Sequence, residues 1–251
     1  MRRGRDIQGL LSPVAYGLAK LTRHWWGWAF LFVGMYVLSM YATAGVMALL
    51  NVVGLIDVMD ATSYAFTVRM LMYALLVTLV IILPRWLGQR MSRQQVGVDR
   101  LLEWKDFAFG GAGVAAYLLL AMGALALLAL IPGVDISQAQ DLEVGQVYGA
   151  ARVGAFIVFV VLTPLFEELV FRGALYGGLR MRRLSPWASA LLVSVLFGLA
   201  HGQLNVAVDT FCLSLVACYL RELTGSIWAG TLLHIIKNLI AFTIVFVVNQ
   251  L

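Results

Sequence analysis

The sequence predicts an all-α protein, a polytopic transmembrane bundle of seven or eight helices. Three observations carry that expectation. Of its 251 residues, 62% are apolar and only 12% are charged, whereas soluble domains carry about 25% charge. The mean hydropathy is +0.90. Seven apolar stretches are present, most near the roughly 20 residues a helix needs to cross a bilayer. Strand-like alternation, the mark of a membrane β-barrel, is absent.

The expected spans are 26–50, 65–87, 107–131, 149–171, 187–204, 206–220 and 227–249. The fifth and sixth are short, as expected of re-entrant or tightly paired segments. The Arg-rich start and the length of the first apolar run do not fit a cleavable signal peptide. Between the second and third spans, residues 89–106 form a basic loop. That loop either only anchors the chain or holds a short interfacial helix with Leu101, Leu102 and Trp104 towards lipid.

Net charge is +5, but its placement says more than its sign. Arg2, Arg3, Arg5, Lys20 and Arg23 precede the first span. Arg85, Arg90, Arg93, Arg100 and Lys105 follow the second. Arg180, Arg182 and Arg183 follow the fourth, and Arg221 the sixth. The alternate loops carry Asp57 and Asp60, then Asp135, Asp141 and Glu143, then Asp209. Positive loops stay cytoplasmic, so the N-terminus is expected inside and the C-terminus outside. The basic residues thus report topology, and no nucleic-acid partner is expected. Cys212 and Cys218 have no zinc or redox spacing and read as small buried hydrophobes.

Ionisable groups inside a span cost about 2.5–3.5 kcal/mol on insertion scales and mark function by default. Arg69, at the start of the second span, and Glu222, beside Arg221 in an expected loop, require no special account. Glu167, Glu168, Arg172, His201, His234 and Asn238 do, with Lys237 as a seventh. Glu168 and Arg172 are four apart on one helical face, which suits an ion pair. Glu167 points about 100° away and is left without that partner. This division gives Glu167 the chemistry of a general base and Glu168 a supporting role. The bland alternative is a buried charge cluster that only joins helices. His201 follows Phe197 by one turn. His234 and Asn238 share a face of the last span, and Lys237 is placed to meet a carboxylate, to snorkel, or to lie at a helix seam.

If the fourth helix runs unbroken to Arg180, Glu167 lies roughly 20 Å from its basic end. His201, Asn238 and His234 fall about 21, 18 and 12 Å from the basic ends of theirs. Gly173 is the place where that helix would break. Groups at similar depth suit hydrolysis, with Glu167 and His201 holding water and Asn238 and His234 facing an oxyanion. Neither G-x-S-x-G nor H-E-x-x-H occurs, so serine and zincin-type sites lack their residues.

Glu-Glu-x-x-x-Arg at 167–172, Phe-x-x-x-His at 197–201 and His-x-x-x-Asn at 234–238, in that order on successive helices, resemble the CAAX protease and bacteriocin-processing family. That family is also called CPBP or Abi. The resemblance covers roughly residues 150–245, giving a catalytic core at 149–251 and an N-terminal transmembrane region at 1–148. It implies an intramembrane endopeptidase acting on a peptide or membrane-anchored protein, with a site open to the cytosol. In it Glu167 and His201 activate water, His234 and Asn238 stabilise the oxyanion, and Glu168 and Arg172 support them. Both metal-dependent and glutamate-dependent mechanisms have been described for the family. No cofactor is favoured here, because the i,i+4 pair is His–Asn and amides are poor zinc ligands. If zinc is bound, Glu167, His201 and His234 are its candidate ligands. The alternatives are a non-catalytic immunity or scaffold protein of the same fold, and a proton-coupled carrier. A carrier would show repeat symmetry, and none is found. The expected location is the bacterial inner membrane, in contact with lipid, with the ER membrane as the alternative.

Overall fold

The structure is a computed structural model that describes residues 13–55, 61–137 and 149–248. Arg2, Arg3, Arg5, Asp57, Asp60, Asp141 and Glu143, part of the charge pattern above, lie outside those residues. So does the chain leading up to the proposed division at 148/149. All regular structure among the described residues is helical. We number it α1 (Pro13–Leu21), α2 (Trp25–Val52), α3 (Ala61–Trp86), α4 (Arg93–Val96), α5 (Trp104–Leu128), α6 (Gly149–Met181), α7 (Pro186–Leu199), α8 (Leu204–Thr224) and α9 (Trp228–Thr243). A π-helical turn, Ile244–Val248, prolongs α9.

Six of these helices are long and apolar enough to cross a membrane, and α7 is a shorter apolar helix. The chain is therefore a multi-pass membrane protein. Half of the apolar window of α6 is buried, against 11% of that of α3, so α6 is a central post and α3 a peripheral one. Around it, α8 packs on α7, α5 and α9, and α9 packs on α5. The core between them holds Phe171, Leu175, Phe197, Leu213, Ala217 and Leu233, all nearly inaccessible.

Several boundaries differ from the sequence reading. The fourth helix does not end at 171 but runs to Met181, straight through Gly173. Gly173 serves packing: a Cβ there would come within 2.8 Å of Val96 on α4. Next to it, Gly177 lies against the backbone of Gln95. α6 is not a plain α-helix either, since Phe156–Leu162 and Glu168–Tyr176 are π-helical. Such wide turns are rare and frequent at functional sites. α7 stops at Leu199, so His201 lies in the turn after it, which Gly202 closes at φ 71°. α8 then begins at Leu204, and Asp209 and Glu222, expected in loops, are both helical.

The 89–106 loop holds its short helix at α4 rather than around Trp104. Ser92 and Gln95 cap each other's backbone N–H there, and Gly97 ends it in the left-handed region. Leu101 and Trp104 are exposed. The loop is also latched to the α8–α9 turn. Ser226 Oγ donates to the Gly97 carbonyl, Trp228 Nε1 donates to Arg100 O, and Arg221 donates to Gln94 O and Gln95 O. The N-terminal helices are held to the same end of α6, where Arg182 lies 4.1 Å over the Trp28 ring and Gly178 makes room for that indole.

Candidate active site

Glu167 closes an α-helical turn of α6 and Glu168 opens the π-helical stretch that follows. Both carboxylates turn to one imidazole. His234 of α9 sets Nδ1 3.1 Å from Glu168 Oε1 and Nε2 3.5 Å from Glu167 Oε2. His234 is 2% exposed and Glu168 fully buried, so the ring is held between two acids in a buried seam.

Glu168 also meets Arg172, whose Nη1 stands 2.9 Å from Oε1, as the four-residue spacing predicts. That contact lies off the hydrogen-bond direction, so it is an ion pair and not an aligned bond. The guanidinium stacks 4.4 Å over the Phe197 ring. Gly230 leaves space on the far side, where a Cβ would approach Glu168 Oε2 to 3.1 Å.

Phe197 joins the remaining groups. Its ring packs edge-to-face on His234 at 5.9 Å and on His201 at 4.9 Å. His201 Nδ1 is 2.8 Å from the Phe197 carbonyl. A neutral imidazole that donates from Nδ1 keeps an acceptor lone pair on Nε2.

Asn238 lies one turn beyond His234. Its amide nitrogen donates to the Phe159 carbonyl at 2.9 Å, which uses one of its two N–H groups. Lys237 pairs with Asp209 at 3.4 Å, and Asp209 accepts a 2.5 Å hydrogen bond from Tyr117. The structure thus brings Glu167, Glu168, Arg172 and His234 into direct contact. It links His201 through Phe197 and places Asn238 a turn farther along.

Glu167 is not without partners, contrary to the sequence expectation. Tyr73 of α3 donates a hydrogen bond to its Oε1, and the Tyr73 ring stacks on Phe166. One turn back on α3, Arg69 lies 4.5 Å over Phe159. In the sequence Arg69 is set aside as the start of a span, and Tyr73 draws no notice. The available signal was their four-residue spacing, which puts a cation and a phenol on one face of a span.

Among the described residues, no three His, Cys, Asp or Glu side chains converge as a metal-binding set. His234, the shared member of the candidate zinc ligands, has a carboxylate at each nitrogen. Nε2 of His234 meets Glu167 at 3.5 Å, and no third such side chain joins them among the described residues.

A polytopic helical bundle with paired carboxylates, two imidazoles and an amide gathered inside it is equipped to be a membrane-embedded hydrolase. Residues 149–240 match the family model described as Type II CAAX prenyl endopeptidase Rce1-like. The match falls on the segment that carries the three motifs, and the resemblance to the CAAX protease family is thereby borne out. It supports a CAAX-type intramembrane endopeptidase in general terms. Comparison with curated proteins and with solved structures gave no match.

Proposed function

We propose that the protein is an intramembrane endopeptidase that cleaves a membrane-associated peptide with water activated by Glu167. The observation that carries this reading is the convergence of Glu167 and Glu168, from one helix, on the two nitrogens of His234 from another. A helix-joining cluster would need only opposite charges. Two acids about one ring, with Tyr73 aligning the outer one, suit proton handling.

In the proposed reaction, water lies between Glu167 and Nε2 of His201. Glu167 takes one of its protons while His201 accepts a hydrogen bond from the other. The hydroxide oxygen attacks the scissile carbonyl carbon, and the oxyanion receives hydrogen bonds from His234 Nε2–H and the spare N–H of Asn238. Glu167 then returns its proton to the amide nitrogen as the C–N bond breaks, releasing an amine and a carboxylic acid. Glu168 and Arg172 hold His234 in orientation. Such oxyanion donors are each worth about 10²–10³ in kcat.

The basic loops support a cytoplasmic N-terminus and a bacterial inner membrane. Substrate is tested directly by incubating purified protein in lipid nanodiscs with quenched fluorescent peptides that end in a CAAX sequence, with and without a prenyl group. Cleavage abolished by Glu167→Ala in a still-folded protein is the expected result. Failure of both peptides and of a mixed peptide library to be cleaved would refute enzymatic function.

A further inference from the structure

A cavity of about 310 Å³ lies between α3, α4 and α6, lined by none of the residues of the carboxylate–imidazole cluster. Ligand pockets run from roughly 300 Å³ upward. Its walls are aliphatic, with Val77, Val80 and Ile81 from α3 facing Leu169 and Val170 from α6. Arg85, in the last turn of α3, and Arg93, at the start of α4, line the same cavity. Both side chains are exposed, and neither has an acidic partner among the described residues. An apolar slot running alongside a membrane span and ending at two unpaired guanidiniums matches one ligand in polarity from end to end.

We propose that this cavity binds an anionic phospholipid, with its phosphate between Arg85 and Arg93 and one acyl chain between α3 and α6. A soluble anion would leave the aliphatic walls unused. A zwitterionic lipid would bring its own cation to the two arginines. The positions fit the depth required, because Arg85 closes the span where hydrocarbon gives way to headgroups, and Ile81 and Trp86 beside it are exposed. Long apolar walls below a guanidinium pair also suit arginine's planar fork, which pairs well with phosphate.

The test uses the full-length protein, delipidated in detergent and re-equilibrated with phosphatidylglycerol or phosphatidylcholine, with retained lipid counted by native mass spectrometry. An arginine near an anionic headgroup favours binding by about five-fold. The wild-type protein is therefore expected to retain phosphatidylglycerol over phosphatidylcholine by roughly 5- to 30-fold. Arg85→Gln with Arg93→Gln abolishes that preference while helicity and monodispersity stay unchanged. Arg90→Gln with Arg183→Gln, which removes the same charge outside the cavity, leaves it intact. The proposal is overturned if the first pair keeps the preference or if the second loses it equally, since bulk charge would then explain it. It is also overturned if glycerol phosphate competes as well as the intact lipid, which would mean that no chain is seated. None of these readouts depends on peptidase activity.

Discussion

Tyr73 donates its hydroxyl hydrogen to Oε1 of Glu167, 94 residues later in the chain. The bond ties a span that shows only general apolar character to the residue with the most demanding proposed role. Tyr73 also stacks on Phe166, at 6.0 Å and 15° between ring planes, so its position is fixed by packing as well as by the bond. Tyr73→Phe keeps the stack and deletes the donor. A hydrogen bond to a charged group is worth about 1.5–3 kcal/mol. The expected outcome is a fall in kcat of about 10- to 100-fold with KM changed less than three-fold. An unchanged kcat would show that Glu167 is aligned without Tyr73.

The two glutamates should respond unequally to substitution. Glu167→Gln removes the base and is expected to lower kcat by at least 10³-fold while leaving the thermal transition in place, because its neighbours are a phenol and one face of His234. Glu168→Gln removes the counter-ion of Arg172 and is expected to destabilise the fold before it affects chemistry. Steady-state kinetics alongside thermal unfolding of both variants separates these roles. If Glu168→Gln is stable and inactive while Glu167→Gln is active, the roles are reversed.

Arg172→Met isolates the ion pair. Removing one partner of a buried pair costs about 3–5 kcal/mol, because the other charge is left uncompensated. The double variant Arg172→Met with Glu168→Gln should regain most of that loss. Denaturant unfolding in a fixed detergent measures both, and additive losses would mean that the 2.9 Å contact carries no coupling.

Gly230→Ala probes how tightly Glu168 is cornered. The added methyl would lie 3.1 Å from Glu168 Oε2 and 3.3 Å from Ala217 Cβ. Overpacking of this kind costs about 1–3 kcal/mol. Activity is expected to fall with stability as His234 is pushed out of line, and wild-type kinetics would show that the seam can yield.

Exhaustive chelation of the purified protein is expected to leave cleavage unchanged. The prediction follows from the proposed reaction, in which Glu167 and His201 activate water without a metal. Elemental analysis of the active protein checks it, and activity lost on chelation and restored by zinc would refute it.

Much of the fold was legible because lipid imposes a length and polarity rule on every span. Its reading located the six long apolar helices and the short one within a few residues at most ends. The exceptions have local causes. Helix α6 passes Gly173 because the missing side chain admits Val96, a contact 77 positions away that no local propensity encodes. Asp209 and Glu222 looked like loop residues because charge in an apolar segment marks its edge. Inside the bundle Asp209 meets Lys237 and Tyr117, and in the last turn of α8 the exposed Glu222 meets Arg180 and Tyr176, so helix α8 tolerates both. At the site, the Glu168–Arg172 pair followed from spacing on one helix. Tyr73 stayed hidden because its partner lies on another helix and a phenol in a span attracts no notice.

The π-helical stretch from Glu168 to Tyr176 means that α6 keeps count of its residues. Deleting one of them would let the segment relax into an ordinary α-helix that is still long and greasy enough for a bilayer. Such a chain would insert and span normally, yet side chains within the shortened stretch would be turned away from their present neighbours. Membrane insertion and assembly of the site therefore rest on separate information in the same 33 residues. Hydrophobicity governs the first, and the number of residues between fixed points governs the second.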